Sequence, residues 1–359
     1  MTQNPDDDPS QRDARTVTIS DVSEAAGVSI TTVSRVLRGD TKLSIRKETR
    51  ARIFAAAKKL NYAPNPAARS LRTSKSMAIA IILPEIENPA YAPIIRGAQA
   101  AAVDNGYSLL VSYCGETQSP EEIYRNLALN IRVDGLLVTT SQSEDEKILH
   151  QDATGIPTVL VNRRTRAENN FVIVDDGAGA RLAVEHLVAL GHQRIAHLSG
   201  PLKHYNSAQR AKGYTDALRD AGIAPDPALI VESGYLTADG RVSTQKLLDE
   251  CSPLPTAIFC NSLLVGAAAV TVCRANGLKV PDDMSIVGLH DGTIAELIYP
   301  PLTTVRYDLF EMGRQATLSL LELIGGDGSE RKQTVLAPVA LIERQSTARP
   351  RQTPPPPDP

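Results

Sequence analysis

The stretch from Thr18 to Tyr62, TISDVSEAAGVSITTVSRVLRGDTKLSIRKETRARIFAAAKKLNY, decides how the rest of the chain is read. It opens as two short helices joined by a tight turn. Thr18 and Asp21 have the spacing of a capping box, in which the hydroxyl accepts from the third helical N–H and the acid reaches back. Ile19, Val22, Ala25 and Ala26 then share one helical face. Gly27 falls where the backbone turns left-handed, a conformation glycine enters without a Cβ penalty. Ser29 is placed to cap a second helix whose buried face is Val33, Val36 and Leu37. A third helix follows, with Ile53, Ala56, Ala57 and Leu60 at helical spacing. Two helices sharing a small core across a glycine turn form a helix-turn-helix unit.

The second helix presents Ile30, Thr31, Ser34, Arg35 and Arg38 outward. A helix of this kind lies in the DNA major groove, its N-terminal part facing the base edges. Arg35 carries the fork that fits guanine O6 and N7, Thr31 donates or accepts, and Ile30 suits a thymine methyl. Ser29 and Thr32 are placed for phosphates, which fix register without reading sequence. Charge agrees. Thr16 to Lys75 holds twelve Lys or Arg against four Asp or Glu, a net of +8, while the whole chain holds 38 against 41. The remainder is therefore 26 against 37, a net of −11. A basic N-terminal module on an acidic body is the electrostatic footprint of a DNA-binding head. The bland reading, a helical cap with a solvated basic face, leaves the agreement of pattern, caps and charge unexplained.

Past these residues the chain resembles a known family. GVSITTVSRVLRG followed by LNYAPNPAARSLRT is similar to the LacI/GalR family of bacterial transcription regulators, the first phrase to its helix-turn-helix and the second to its hinge helix. The resemblance runs from about Val17 to Ser346, although the Ser44–Thr49 segment is about two residues longer than usual. It implies that Thr18, Ser29, Ile30, Thr31, Thr32, Ser34, Arg35, Tyr62 and Asn65 serve DNA binding. It also implies that two hinge helices meet in the minor groove, each inserting a leucine. Here that residue is Leu71, with Ala68 and Arg69 close to the groove. Pro64 and Pro66 stop the preceding helix, and Ala67 to Leu71 is too short to stay helical without a partner. An apolar wedge that unstacks a base step is a known physical device.

A chain of 359 residues accommodates two or three domains, and 42% hydrophobic content supports a sizeable core. No apolar run approaches the length of a spanning helix. The first fifteen residues, MTQNPDDDPSQRDAR, are polar and acidic and read as a disordered leader rather than a secretory signal. The tail PRQTPPPPDP reads as disordered, and no heptad pattern announces a coiled coil. These features place the protein in the cytoplasm. Cys114, Cys251, Cys260 and Cys273 show no paired metal spacing, and His186 and His192 flank a helix end, so neither a metal nor a cofactor is expected.

From Met77 onward, apolar β-type runs alternate with helical segments. AIAIILP, SLLVSYC, GLLVTT, TVLVN and FVIVD form one set of strands; RIAHLSG, LIVES, AIFCN and SIVGLH form a second. Tyr91 to Asn105 reads as one intervening helix, and another starts near Asn206. The alternation gives parallel sheets with helices on both faces. The expected fold is an α/β body of two doubly wound parallel-sheet subdomains with a small all-α helix-turn-helix head. The resemblance implies a likeness to periplasmic sugar-binding proteins, with three crossings between subdomains, placed near Asp175, Thr304 and Ala337. The domain limits follow: leader 1–15, head 16–62, hinge 63–76, body 77–346 and disordered tail 347–359. The N-subdomain takes about 77–175 and 305–336, and the C-subdomain about 176–303 and 337–346.

In such sheets ligands sit beyond the carboxyl ends of the strands, here between the subdomains. The residues following each strand are the effector candidates: Asn88, Tyr91, Asn162, Arg163, His204, Asn206, Arg210, Asn261, His290 and Asp291. Two departures from the family pattern stand out. Ser262 follows the pocket asparagine where aspartate is usual, and Leu289-His290 replaces an aromatic residue and an aspartate that commonly accepts sugar hydroxyls. With two arginines and two histidines among the candidates, the expected effector carries an acidic group or many acceptors; a neutral sugar held by Asp291 is the alternative.

The leading reading is a sequence-specific DNA-binding regulator, acting as a repressor. Its expected partners are double-stranded DNA with a near-palindromic operator, a small-molecule effector of sugar or sugar-like kind, and a second copy of itself, with no membrane. An α/β enzyme is the second reading. Its best support, VDDGAGARLA, fails as a dinucleotide fingerprint because Leu182 stands where the third glycine belongs. A solute-binding protein is the third, and it leaves the head unexplained.

Overall fold

The computed structural model describes residues 17–37, 39–40, 43–62, 75–114, 120–131, 133–139, 155–165, 169–326 and 331–351. It divides into two compact units, one ending at Ser76 and the other beginning at Met77.

The first unit holds three helices, α1 (Ile19–Ala26), α2 (Ile30–Leu37) and α3 (Lys47–Lys59). The capping box forms in both directions: Asp21 N–H donates to Thr18 Oγ1 at 3.4 Å, and Thr18 N–H donates to Asp21 Oδ2 at 2.7 Å. Gly27 closes α1 at φ +61°, the left-handed region, with its N–H turned back to the carbonyls of Ser23 and Glu24. Thr32 N–H donates to Ser29 Oγ at 3.3 Å, which caps α2. Val22, Ala26, Val33, Val36, Ile53, Ala56 and Ala57 form the buried core, with Ile19, Leu37, Leu60 and Tyr62 packed around it. Ala25, expected on that face, is exposed. The i, i+4 pair Val22 and Ala26 fills the narrow seam of so short a helix, and Ala25 sits a further 100° round on the outside.

The second unit contains two six-stranded sheets. The first runs in the order β11-β5-β4-β3-β1-β2, built from β1 (Ala78–Leu83), β2 (Ser108–Tyr113), β3 (Gly135–Val138), β4 (Thr158–Val161), β5 (Phe171–Val174) and β11 (Gln333–Leu336). The second runs β12-β10-β9-β8-β6-β7. Its members are β6 (Ile195–Ser199), β7 (Ile230–Glu232), β8 (Ala257–Cys260), β9 (Ser285–Leu289), β10 (Thr303–Arg306) and β12 (Ala340–Ile342). Nine strands were expected and twelve are found among the described residues. The three missed are β10, β11 and β12: β10 and β11 carry Thr, Gln or Arg rather than a continuous apolar run, and β12 is a run of three residues. β12 is also antiparallel to β10, unlike every other pairing.

The apolar runs work because each sheet is covered on both faces. Alternate residues of β1 go to opposite sides: Ile79, Ile81 and Leu83 to one cluster, Ala80 and Ile82 to another. In β8, Ala257 and Phe259 face one way while Ile258 and Cys260 face the other. The covering helices are α4 (Tyr91–Asp104), α6 (Asp176–Ala189), α7 (Tyr205–Asp220), α8 (Thr237–Glu250), α9 (Leu263–Ala275) and α11 (Leu309–Gly325); shorter helices are α5 (Pro120–Arg125) and α10 (Thr293–Leu297). α4 and α11 approach backbone to backbone at paired glycines. A Cβ on Gly97 would lie 1.9 Å from the Phe310 carbonyl oxygen, and one on Gly313 would lie 2.0 Å from that of Ile94.

The chain leaves the first sheet after Val174, rejoins its helices after Arg306, and crosses again between Leu336 and Ala340. The C-terminal strap departs from expectation. Rather than ending at Ser346, it continues along the second sheet to Arg351. His192 Nε2 contacts the Ala348 carbonyl at 2.9 Å, His186 Nε2 contacts Thr347 Oγ1 at 2.9 Å, and Arg351 pairs with Asp283 at 2.6 Å. These partners lie about 70 to 160 residues away in sequence, beyond the reach of any local pattern. Among the described residues no helix is long and apolar enough to cross a membrane.

Candidate functional site

In the head, α2 turns Val33 and Val36 inward, so Ile30 and Thr31 stand exposed on the far side, Ile30 at 48%. Thr18 and Ser29 are also exposed; Thr32, Ser34 and Tyr62 are half-buried. The Ser29 and Thr32 hydroxyls bond each other at 2.9 Å, so each already has one partner on the chain. Arg35 is not free either: its Nε donates to Asp40 Oδ2 at 2.8 Å. That leaves the terminal guanidinium nitrogens for a partner and holds the side chain along the C-terminal end of α2. Arg38 and the hinge residues Asn65, Ala68, Arg69 and Leu71 lie outside the described residues.

In the body, Asn88, Asn162, Arg163, Asn261, His290 and Asp291 lie in the segments that follow parallel strands, while Tyr91 starts α4, His204 is the N-cap residue of α7, and Asn206 and Arg210 lie within α7. Two take left-handed backbone conformations despite carrying a Cβ: Asn162, after β4, at φ +55°, and His290, after β9, at φ +68°. Such conformations cost about 1–3 kcal/mol each and persist where their surroundings enforce them. Asn206, in the first turn of α7, donates to the Asn162 carbonyl at 3.0 Å and so ties the two sides together.

Arg210 is the most tightly held. Its Nε and Nη2 both lie 2.7 Å from Asp176 Oδ1, and Nη1 donates to the Asn261 carbonyl at 2.8 Å. Both charged side chains are 2% exposed. Burial works against both charges: it opposes the one on Arg210, whose guanidinium is nonetheless held above its ordinary pKa by Asp176 with Tyr235 and Tyr307, and it raises the Asp176 carboxyl, which Arg210 draws back down. Arg163 is differently placed. It is buried at 8% exposure, donates to the Asn162 carbonyl at 2.9 Å, and lies 5.7 Å from the ring centre of Tyr235.

Three groups near these cations are shifted toward their neutral forms. His290 is buried, and its pKa is pushed down to about 3 by burial, with Arg210 and Arg163 adding to the effect. His204 is lowered by burial and then by Arg163 and Lys203, and its Nδ1 contacts Tyr235 Oη at 3.1 Å. Tyr91, at the start of α4, is raised to about 12 by burial. Asn88 turns into its own loop, its Oδ1 accepting from Ala90 N–H at 3.1 Å. Asp291 is engaged elsewhere, accepting from Thr304 Oγ1 at 2.7 Å and pairing with Arg344 at 2.9 Å. Next to the crossing, a cavity of 430 Å³ is lined by Asn88, His290, Asp291 and Tyr307 among others.

Several buried polar atoms lack a hydrogen-bond partner among the described residues, and in the cleft these include Asn206 Oδ1, Asn261 Oδ1, His290 Nε2 and Ser199 Oγ. Buried polar groups are nearly always satisfied, so such a cluster marks a place where a ligand or water completes the bonding.

Sequence reasoning missed three contributors. Asp176 neutralises Arg210. Tyr235 follows β7, so the strand-end rule that picked the other candidates applies to it as well. Tyr307 follows β10, which was not recognised as a strand; its ring tilts on His290 at 5.7 Å.

Comparison with known proteins agrees with this architecture. Residues 18–65 match the family model for bacterial regulatory proteins of the lacI family, and residues 184–347 match a periplasmic binding protein-like domain. The chain is 34% identical over 314 residues to the HTH-type transcriptional repressor CytR of Escherichia coli (strain K12), spanning 86% of this chain and 90% of the relative. It is 35% identical over 312 residues to the HTH-type transcriptional repressor PurR of Haemophilus influenzae (strain PittEE), spanning 86% and 91%. The crystal structure of the Lac repressor dimer bound to operator and the anti-inducer ONPF aligns over 93% of this chain and all of that one, at 31% identity and a TM-score of 0.82. A complex of the transcriptional regulator CelR with cellobiose aligns over 92% and 99%, at 31% identity and a TM-score of 0.72. With a basic helix-turn-helix head, a two-sheet α/β body and relatives matched almost end to end, this chain belongs to the lacI family of bacterial regulatory proteins.

Proposed function

We propose that the protein is a DNA-binding transcription regulator of the repressor type, not an enzyme, and that a small molecule bound between the two sheets of the body controls it in the cytoplasm. The observation that carries this is α2: a capped, core-packed helix whose outer side shows Ile30 and Thr31 to solvent in a region of net charge +8. The DNA contacts are assigned to Thr18, Ser29, Ile30, Thr31, Thr32, Ser34, Arg35 and Tyr62, with Asn65, Ala68, Arg69 and Leu71 supplied by the hinge. Residues 16–62, 63–76 and the body from 77 serve as head, hinge and effector-binding unit.

Each head reads a half-site, so two copies meet a near-palindrome. Exposed apolar side chains support a second copy against the body: Val111 and Tyr113 on the edge strand β2, and Leu297 and Tyr299 beside α10. An effector regulates by binding two arrangements of the body unequally.

The test is fluorescence anisotropy on a duplex that the full chain selects from random DNA. Arg35→Ala is expected to cost ~1–3 kcal/mol per half-site on that duplex, the range for a bidentate base contact, and less on random DNA. Equal losses on both duplexes would reduce Arg35 to a backbone contact, and no selection of any duplex would end the regulator reading.

A further inference from the structure

The two arginines of the cleft differ in what answers their charge. Arg210 is matched within the chain by Asp176 at 2.7 Å. Arg163 is 8% exposed, and among the described residues no carboxylate lies within ion-pairing distance of it. Its one hydrogen bond among the described residues goes to the Asn162 carbonyl, and one face of the guanidinium lies toward the Tyr235 ring. One acid it acts on is Glu85, which instead accepts from Asn88 Nδ2 at 3.3 Å and is drawn toward its neutral form by burial. The other groups that feel Arg163 are Tyr91, His204, His290 and Asp176, the last already committed to Arg210.

A cation taken out of water without a counter-charge is costly, and a fold retains one where a partner arrives from outside. Guanidinium recognises carboxylate and phosphate through paired N–H donors in a fixed fork. Asn206 Oδ1, Asn261 Oδ1 and His290 Nε2 stand ready for the uncharged part of a ligand, since none has a partner among the described residues. We infer that the effector carries a carboxylate or phosphate group and that Arg163, not Arg210, is the residue that pairs with it. This rests on the cleft being the effector site of the regulator.

The test uses the full chain and matched probes: glucose with glucuronate and glucose 6-phosphate, ribose with ribose 5-phosphate, and inorganic phosphate alone. Thermal shift reads binding, and anisotropy on the selected duplex reads regulation. An acidic member is expected to raise the melting temperature where its neutral counterpart does not, and the carboxylate and phosphate arms separate the two sources of charge. In Arg163→Met the affinity for the responding acid should fall at least about 30-fold, the lower end for removing one partner of a desolvated charge pair. Arg163→Lys keeps the charge without the fork and should fall between.

A second readout separates ligand binding from scaffolding. Removing an unanswered buried charge should leave the ligand-free Arg163→Met protein melting at or above the wild type. The inference is overturned if neutral sugars bind as well as their acids, or if no acid, inorganic phosphate included, shifts the melt. It is likewise overturned if Arg163→Met keeps the acid's affinity, or if that variant melts below the wild type. An acid that binds through Arg163 yet leaves DNA affinity unchanged would instead refute the regulator reading and leave the pairing intact.

Discussion

Asp176→Asn is the substitution whose effect the structure fixes most closely. The carboxylate and Arg210 are each 2% exposed, and two guanidinium nitrogens converge on the one oxygen Oδ1 at 2.7 Å. Asparagine keeps the shape and removes the charge. Arg210 cannot retreat to water, because it sits in the middle of α7 and its Nη1 is fixed to the Asn261 carbonyl at 2.8 Å. Removing one partner of a buried pair costs about 3–5 kcal/mol, mostly from the charge left behind. Folded domains hold about 5–15 kcal/mol in all, so this is a large share. At roughly 2–4 °C per kcal/mol for domains of this size, the melting temperature should fall roughly 6–20 °C. Circular dichroism or calorimetry at neutral pH reads it. The double variant Asp176→Leu with Arg210→Met should recover part of the loss, because both charges leave together. An Asp176→Asn protein within about 1 kcal/mol of wild type, or a double variant with fully additive loss, would show that the two buried charges do not balance each other.

Two further outcomes follow from geometry. His197 lies at the centre of β6, fully buried, stacked on Phe259 at 4.5 Å, with its pKa pushed down to about 4 by burial. It is neutral when folded and binds a proton more readily when unfolded. Its contribution is therefore complete above pH ~6.5 and is lost as pH falls toward about 4, a loss of about 3 kcal/mol across that window. His197→Phe should flatten this slope in urea titrations run at pH 7 and pH 5; an unchanged slope would assign it to other groups. At Gly27, φ is +61° and nothing lies within 4 Å of an added Cβ. Gly27→Ala should thus cost ~1–2 kcal/mol of head stability through backbone strain alone, seen as weaker DNA binding with effector affinity unaltered.

The head was legible because its signals are local. A capping box, a glycine turn and two apolar seams each span four to eight residues, and all form, although Ala25 turns out of the seam it was expected to share. The strands with apolar runs were legible for the same reason, even those of three or four residues. β10 and β11 were not, since TTVR and QTVL carry polar residues and owe their place to the neighbours β9 and β5, and the short β12 to its pairing with β10. Asp40's hold on Arg35 and the strap along Thr347 and Ala348 likewise depend on where distant or turn residues arrive in space.

The two departures from the family pattern separate once their surroundings are known. Ser262 accepts from Val265 N–H at 3.2 Å and caps α9, and its hydroxyl also donates to the Tyr235 carbonyl at 3.0 Å, a bond an ionised aspartate could not make. Position 262 is therefore engaged within the chain. His290 is the opposite case. It sits buried at φ +68° with Nε2 unpartnered among the described residues, and Asp291 cannot supply the missing carboxylate because Thr304 and Arg344 already hold it. An acceptor with a full charge has thus been exchanged for a neutral ring beside two arginines, only one of which is paired. On the proposed reading, loss of an anion from the protein side, with Arg163 lacking a carboxylate partner among the described residues, moves the demand for negative charge onto the ligand, so that Arg163 rather than the more tightly bound Arg210 would decide what the cleft accepts.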